Sequence, residues 1–114
     1  MSLDFTLDDQ QLELRTLARA FADGVLTGVA AAIADIPGPE ERFYAIKPCY
    51  QPMVDAGFLK ALIPDEYGGS KSSSLAFVLA AEELTRVDIN TPTAVLATGL
   101  ALQPIIHFGT PEQK

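Results

Sequence analysis

The stretch Ser72-Ser-Ser-Leu-Ala-Phe-Val-Leu-Ala-Ala-Glu-Glu-Leu-Thr-Arg86 decides the fold class. Its apolar positions Leu75, Val78, Leu79 and Leu84 recur at helical spacing among alanines. The serines offer caps for the first amides, and Glu82 and Arg86 fall into an i,i+4 pair. This segment is a helix.

The flanking sequence repeats the pattern. Downstream, Thr91-Pro92 is a helix start, a capping hydroxyl followed by proline at the first helical position, ahead of a nearly uncharged run from Thr93 to Phe108. With no charge before His107, this helix is expected to be buried on most sides, with Pro104 kinking it and Gly109 ending it. Thr110-Pro111-Glu112-Gln113-Lys114 is another helix start with no helix behind it. It reads as the front part of something longer.

Upstream, Phe58 to Ile63 is a short apolar run that could be extended, and Pro64 to Gly69 is a turn, so one hairpin stays open. Glu40 to Ala56 reads as a second helical region broken into short pieces by Pro48 and Pro52 and capped by Gly57. Pro37-Gly38-Pro39 forces a loop before it, and Val29 to Ile36 continues an earlier helix. That earlier helix starts at Thr6, with Asp9 near its positive end. Leu14, Leu17, Ala18, Phe21 and Val25 lie on one face, opposite Glu13, Arg15, Arg19 and Asp23, and Gly24 and Gly28 weaken its far end. The expected fold is all-α, an up-and-down helical bundle forming a single domain over residues 1–114.

A chain of 114 residues can bury roughly 65% of the surface its unfolded form exposes, so a core without staples is feasible. Hydrophobic residues at 48% and charged residues at 20% suit a soluble globular domain. Fifteen acidic against eight basic side chains give a net charge of −7, which argues against nucleic acid as a partner. The same charge offers little attraction to the pyrophosphates of CoA or FAD. Cys49 is the only cysteine, so there is no internal disulfide and no Cys-based metal site; it reads as a small half-buried hydrophobe. The acidic start is unlike a targeting peptide, and no apolar run approaches the ~18 residues of a membrane span, so the expected location is cytoplasmic.

Few residues carry chemistry. His107 is the only histidine, which leaves a His-based metal cluster or a serine-type triad unassembled. The neighbouring acids Asp8-Asp9, Glu40-Glu41 and Glu82-Glu83 point in different directions on a helix and read as solvated faces. There is no Gly-x-Gly-x-x-Gly and no Gly-Lys-Ser/Thr loop. The uncharged run from Thr93 to Phe108 is the one site-like signal, and its plainer reading is the domain's own core.

Five segments in order carry a resemblance: an early helix with Gln10-Gln11 behind Leu7, Asp55-Ala-Gly-Phe58, Ile63-Pro-Asp-Glu-Tyr-Gly-Gly69, Ala81-Glu-Glu-Leu84 with Arg86 and Asp88, and Gly109-Thr-Pro-Glu-Gln-Lys114. Together they make the chain resemble the amino-terminal helical domain of the acyl-CoA dehydrogenase family. The resemblance implies a flavoprotein whose middle β-barrel and carboxy-terminal four-helix domains lie outside these residues. In that family FAD sits between domains, held mainly by those two. It also implies homo-oligomers, and an acyl-CoA or other acyl thioester as substrate in fatty acid metabolism. In the family a glutamate removes the α-proton of the thioester while its β-hydride moves to the flavin. That base belongs to the carboxy-terminal domain, so no catalytic residue and no metal ligand is expected here.

What the first domain contributes, by the same resemblance, is one wall of the acyl-chain pocket, at positions Thr93, Leu96, Ala97 and Leu100. Their i, i+3, i+4, i+7 spacing places all four on one helical stripe. The segment from Val25 to Pro52 departs from the family's pattern and leaves the substrate open. So do relatives with the same fold that act as acyl-CoA oxidases, flavin monooxygenases or nitroalkane oxidases, because the chemistry is set at the base position elsewhere. A third reading is a non-catalytic helical partner or assembly module.

Overall fold

The computed structural model describes residues 2–114, and among them every regular element is helical. Five α-helices follow one another: α1 Asp9–Phe21, α2 Val29–Ile33, α3 Pro39–Asp55, α4 Ser74–Thr85 and α5 Asn90–Phe108. Helix α1 packs on α4, α3 on α5, and α2 on α3. The expected all-α class is the one observed.

Helix α1 opens with a capping box centred on Asp8 instead of Thr6. The Gln11 amide donates to Asp8 Oδ1 at 2.8 Å, while the Asp8 amide donates to Gln11 Oε1 at 3.0 Å. A carboxylate paired with a glutamine three residues on satisfies two orphan amides at once, which a lone Thr6 hydroxyl would not. The helix then widens into a π turn over Ala22–Leu26 before α2. Bonding from i to i+5 broadens the turn and keeps positions four apart in line. The buried stripe accordingly runs Ala18, Ala22, Leu26, Val29, Ile33, while Leu17 from the expected face is 61% exposed.

Pro48 and Pro52 lie inside an unbroken α3. Each removes one backbone bond and frees the carbonyl four residues earlier, at Tyr44 and Pro48. Both of those residues are exposed, so water can serve the freed oxygens. The opposite face, with Ile46 and Met53, is held by burial. At its end Gly57 adopts φ 93°. The amides of Gly57 and Phe58 return to Val54 and Met53 at 3.0 and 3.2 Å, closing a Schellman motif.

The run from Phe58 to Ile63 forms no strand. It closes into a 3₁₀ turn at Lys60–Leu62, followed by a second at Asp65–Tyr67. The Ser70 and Ser72 amides donate back to the Lys60 and Ala61 carbonyls, at 2.9 and 3.1 Å, closing the turn without a strand. Ser73 caps α4 by accepting from the Ala76 amide at 3.1 Å.

Helix α5 starts under Asp88 and not under a Thr91 cap. The buried Asp88 carboxylate accepts from the amides of Asn90 and Thr91, at 3.0 and 2.8 Å, and from Asn90 Nδ2 at 2.9 Å. The Thr91 hydroxyl is buried without a hydrogen-bond partner. One expectation is overturned along this helix: it is buried on one side only. Pro92, Val95 and Gly99 face the core, whereas Thr93, Ala97, Leu100, Ala101, Pro104 and Phe108 are exposed. Uncharged composition makes burial affordable, but one helix face is all that α3 and α4 can cover.

The core sits where the π turn, α3, α4 and α5 meet, as a cluster of Ala22, Leu26, Met53, Leu84 and Val95. A smaller cluster of Val29, Ile33 and Ile46 joins α2 to α3. Cys49 lies between the two, half-buried, its thiol donating to the Val25 carbonyl at 3.4 Å. Burial, reinforced by the negative charge of Asp88, raises its thiol above the ordinary range and keeps it protonated.

Candidate functional site: an apolar cavity beside the exposed face of α5

Helices α1 and α4 are fastened by charge. Glu83, 7% exposed, receives Arg19 in a two-pronged contact, Nε to Oε2 at 2.8 Å and Nη2 to Oε1 at 2.7 Å. Arg86 adds a longer contact to Glu83 at 3.4 Å and binds Asp23 at 2.8 Å. The expected Glu82–Arg86 pair is therefore replaced by cross-helix pairing, and Glu83 belongs to no solvated face. The fork of a guanidinium matches two carboxylate oxygens, a fit that a single i,i+4 contact along one helix lacks.

Hydrogen bonding from Arg19 holds the Glu83 carboxyl below its ordinary range, against the effect of its burial. Burial pushes the Asp88 carboxyl up, but hydrogen bonds from the Thr91 amide and from the amide and side chain of Asn90 outweigh it and leave it lowered too. Both groups return to their ordinary range on unfolding. Their contribution to stability is thus present above roughly pH 4 and lost as pH falls through the lowered folded values. Urea midpoints measured from pH 8 to pH 2 should show no loss from these groups above about pH 5 and a steep loss below pH 4. In Arg19→Met, Glu83 loses the contact that lowers its carboxyl, its folded and unfolded values converge, and its share of the loss below about pH 4 should shrink. An acid loss of unchanged size would show that this contact does not set the Glu83 titration.

Below this clamp, the same two helices frame a cavity of about 370 Å³. Leu14, Ala18 and Phe21 of α1 face Ala76, Ala80 and Leu84 of α4 across it. Gly57, Phe58 and Ala61 close one end, and Pro92, Val95 and Leu96 of α5 form another wall. No charged side chain lines it, and Ser72 is its one hydroxyl. Such a lining is apolar and offers no group for chemistry of its own.

Of the four stripe positions, Leu96 is half-buried and lines this cavity. Thr93, Ala97 and Leu100 are exposed, Leu100 by 73%, and the Thr93 hydroxyl donates to the Ile89 carbonyl at 2.5 Å. The four share one side of α5 but form no enclosed pocket by themselves. Leu96 stands at the edge of that side nearest the buried Pro92, Val95 and Gly99. The cavity itself was not anticipated from the sequence. The alanines at positions 76, 80 and 81, set between the larger residues of α4, were the available sign of room beside that helix.

His107 is exposed at the far end of α5, its ring 6.1 Å from that of Phe108. Among the described residues no group of three His, Cys, Asp or Glu could hold a metal ion, and no helix is long and apolar enough to cross a membrane. The closing residues form a capped first turn. The Gln113 amide donates to Thr110 Oγ1 at 3.4 Å while the Thr110 amide donates to Gln113 Oε1 at 2.9 Å. That is a capping box at the position where the sequence reads as a helix start.

Comparison with known proteins gives this geometry a setting. Residues 8–114 match the family model described as acyl-CoA dehydrogenase, N-terminal domain. The chain is 37% identical over 109 residues to a nitroalkane oxidase of Fusarium oxysporum, covering 96% of this chain and 25% of that protein. It is 32% identical over 113 residues to a short-chain-specific acyl-CoA dehydrogenase of Clostridium acetobutylicum, covering 98% and 28%. Among solved structures, a nitroalkane oxidase active-site mutant crystallised with 1-nitrooctane superposes with a TM-score of 0.88 at 36% identity, covering 97% of this chain and 26% of that one. The chain thus spans about a quarter of the length of the proteins it matches.

Proposed function

The chain belongs to the acyl-CoA dehydrogenase family, as its amino-terminal domain, and from that membership we propose that it supplies one wall of the substrate pocket in a flavoenzyme that oxidises an acyl thioester to its α,β-unsaturated form. Thr93, Leu96, Ala97 and Leu100 are the wall. The observation that carries this reading is the uncharged side of α5, left open along its length by α3 and α4. Each methylene of an alkyl chain laid against such a surface gains about 0.8 kcal/mol by leaving water. This domain binds and orients a tail and excludes water from it, while the middle and carboxy-terminal domains of the full-length protein carry the reaction.

Neither the apolar cavity nor the clamp between α1 and α4 fits the pyrophosphate of a flavin. The apolar cavity has no cation, and Arg19 and Arg86 are already engaged by Glu83 and Asp23. The cofactor belongs to segments outside this chain, with FAD as the expected form, and no catalytic step falls to these residues. A homo-oligomer, as the family resemblance implies, is part of the same reading.

A second reading, nitroalkane oxidation, is favoured by the 36% identity and TM-score of 0.88 to nitroalkane oxidase structures. A nitroalkane likewise offers an acidic C–H beside a polar head and a plain alkyl tail, so the same wall would serve it. The full-length protein separates the two readings. Turnover of octanoyl-CoA with an electron-accepting dye is expected. A flavin-loaded enzyme that turns over no thioester defeats the dehydrogenase reading, and oxygen consumption with 1-nitrooctane would then establish the second.

A further inference from the structure

We propose that the cavity between α1, α4 and the start of α5 is a second segment of the substrate site, receiving the far end of a long, unfunctionalised alkyl chain whose head lies along the α5 stripe. It rests on the reading of the stripe as a substrate wall and adds to it a depth, an entrance and a selectivity.

Three observations carry it. Protein interiors are packed to high density, large side chains against small ones. Here small residues stand on three facing elements, Ala18 on α1, Ala76 and Ala80 on α4, Gly57 and Ala61 on the connecting turn, and the larger Leu14, Phe21 and Phe58 around them leave the space unfilled. The room left, about 370 Å³, falls within the roughly 300–1,000 Å³ of small-molecule sites. Second, the lining admits hydrocarbon and nothing charged. Its one hydroxyl, on Ser72, is directed at the Ala61 carbonyl at 3.5 Å. A carboxylate or ammonium at the end of the chain would enter without a partner, at a large desolvation cost. Third, the two surfaces meet at one side chain. Leu96 is both a stripe position and a cavity wall. The stripe from Thr93 to Leu100 extends only about 10 Å along the helix, so a longer chain runs past it, and the space behind Leu96 is where its end can stay out of water.

The test uses the full-length protein and the ratio of kcat/KM for hexadecanoyl-CoA to that for butanoyl-CoA. Ala76→Leu fills the cavity and should lower the ratio at least tenfold, the effect of about two methylenes kept in water. Leu96→Ala widens the entrance and should raise it. Introducing an ω-carboxylate on the long substrate should abolish the advantage of chain length. A ratio unchanged in both variants overturns the inference while the function stands. Failure of the wild-type protein to process either acyl-CoA removes the substrate reading and this extension with it. If Ala76→Leu does not fold, Leu96→Ala decides alone.

Discussion

Replacing Leu26 by alanine is expected to destabilise the chain by about 2–5 kcal/mol, the range for truncating a buried leucine. Leu26 is 1% exposed and sits in the cluster with Ala22, Met53, Leu84 and Val95 that joins four segments. A domain of this size has a total stability of roughly 5–15 kcal/mol, so the variant would lose a large part of it. Thermal unfolding followed by circular dichroism checks this, because each kcal/mol moves the midpoint of a small domain by about 4–8 °C. Leu17→Ala is the control. At 61% exposure, it should stay within about 0.5 kcal/mol of the parent. If the two variants melted alike, the π turn would not be placing Leu26 in the core.

Gly69→Ala is the second large effect, and its cause is close approach. A Cβ at this position would lie 1.9 Å from the Ile63 carbonyl oxygen and 2.6 Å from Ile63 Cβ. The obstruction is mostly backbone, so the turn itself must move. Opening it strains the bonds from Gly69 to Pro64 and from Ser70 to Lys60, at 3.1 and 2.9 Å. A cost of about 1–3 kcal/mol is expected, as for other overpacked sites. Gly28→Ala should do the opposite. Its backbone is right-handed helical and a Cβ there meets nothing within 4 Å, so restricting the unfolded chain should stabilise by about 0.4–1 kcal/mol. Urea unfolding of both variants separates the two outcomes. A neutral Gly69→Ala would mean that the Ile63 carbonyl does not crowd this glycine.

The Gly69 result bears on the cavity as well. The turn it closes runs from the Schellman motif at Gly57 past Ala61 to Ser72, and these residues form the cavity's end wall. If the cavity takes an alkyl tail as proposed, loss of that wall would alter selectivity for chain length before it altered turnover of short substrates.

The sequence by itself determined what depends on neighbours along the chain. Helical periodicity placed α1, α4 and α5, Gly57 and Gly109 marked two helix ends, and the ordered motifs from Gln10-Gln11 to Lys114 identified the family. These features need only spacing, capping chemistry and backbone freedom, which are local. Tertiary structure alone decided which groups meet across elements. It kept α3 continuous through two prolines, because burial of Ile46 and Met53 outweighed two lost backbone bonds. It turned Arg19 from a solvent-facing charge into the partner of a buried Glu83, sixty-four residues away. It also left one side of α5 open and an unfilled apolar cavity beside it. Pairing and packing depend on which surfaces arrive in the same place, and composition along one helix carries no record of what stands opposite.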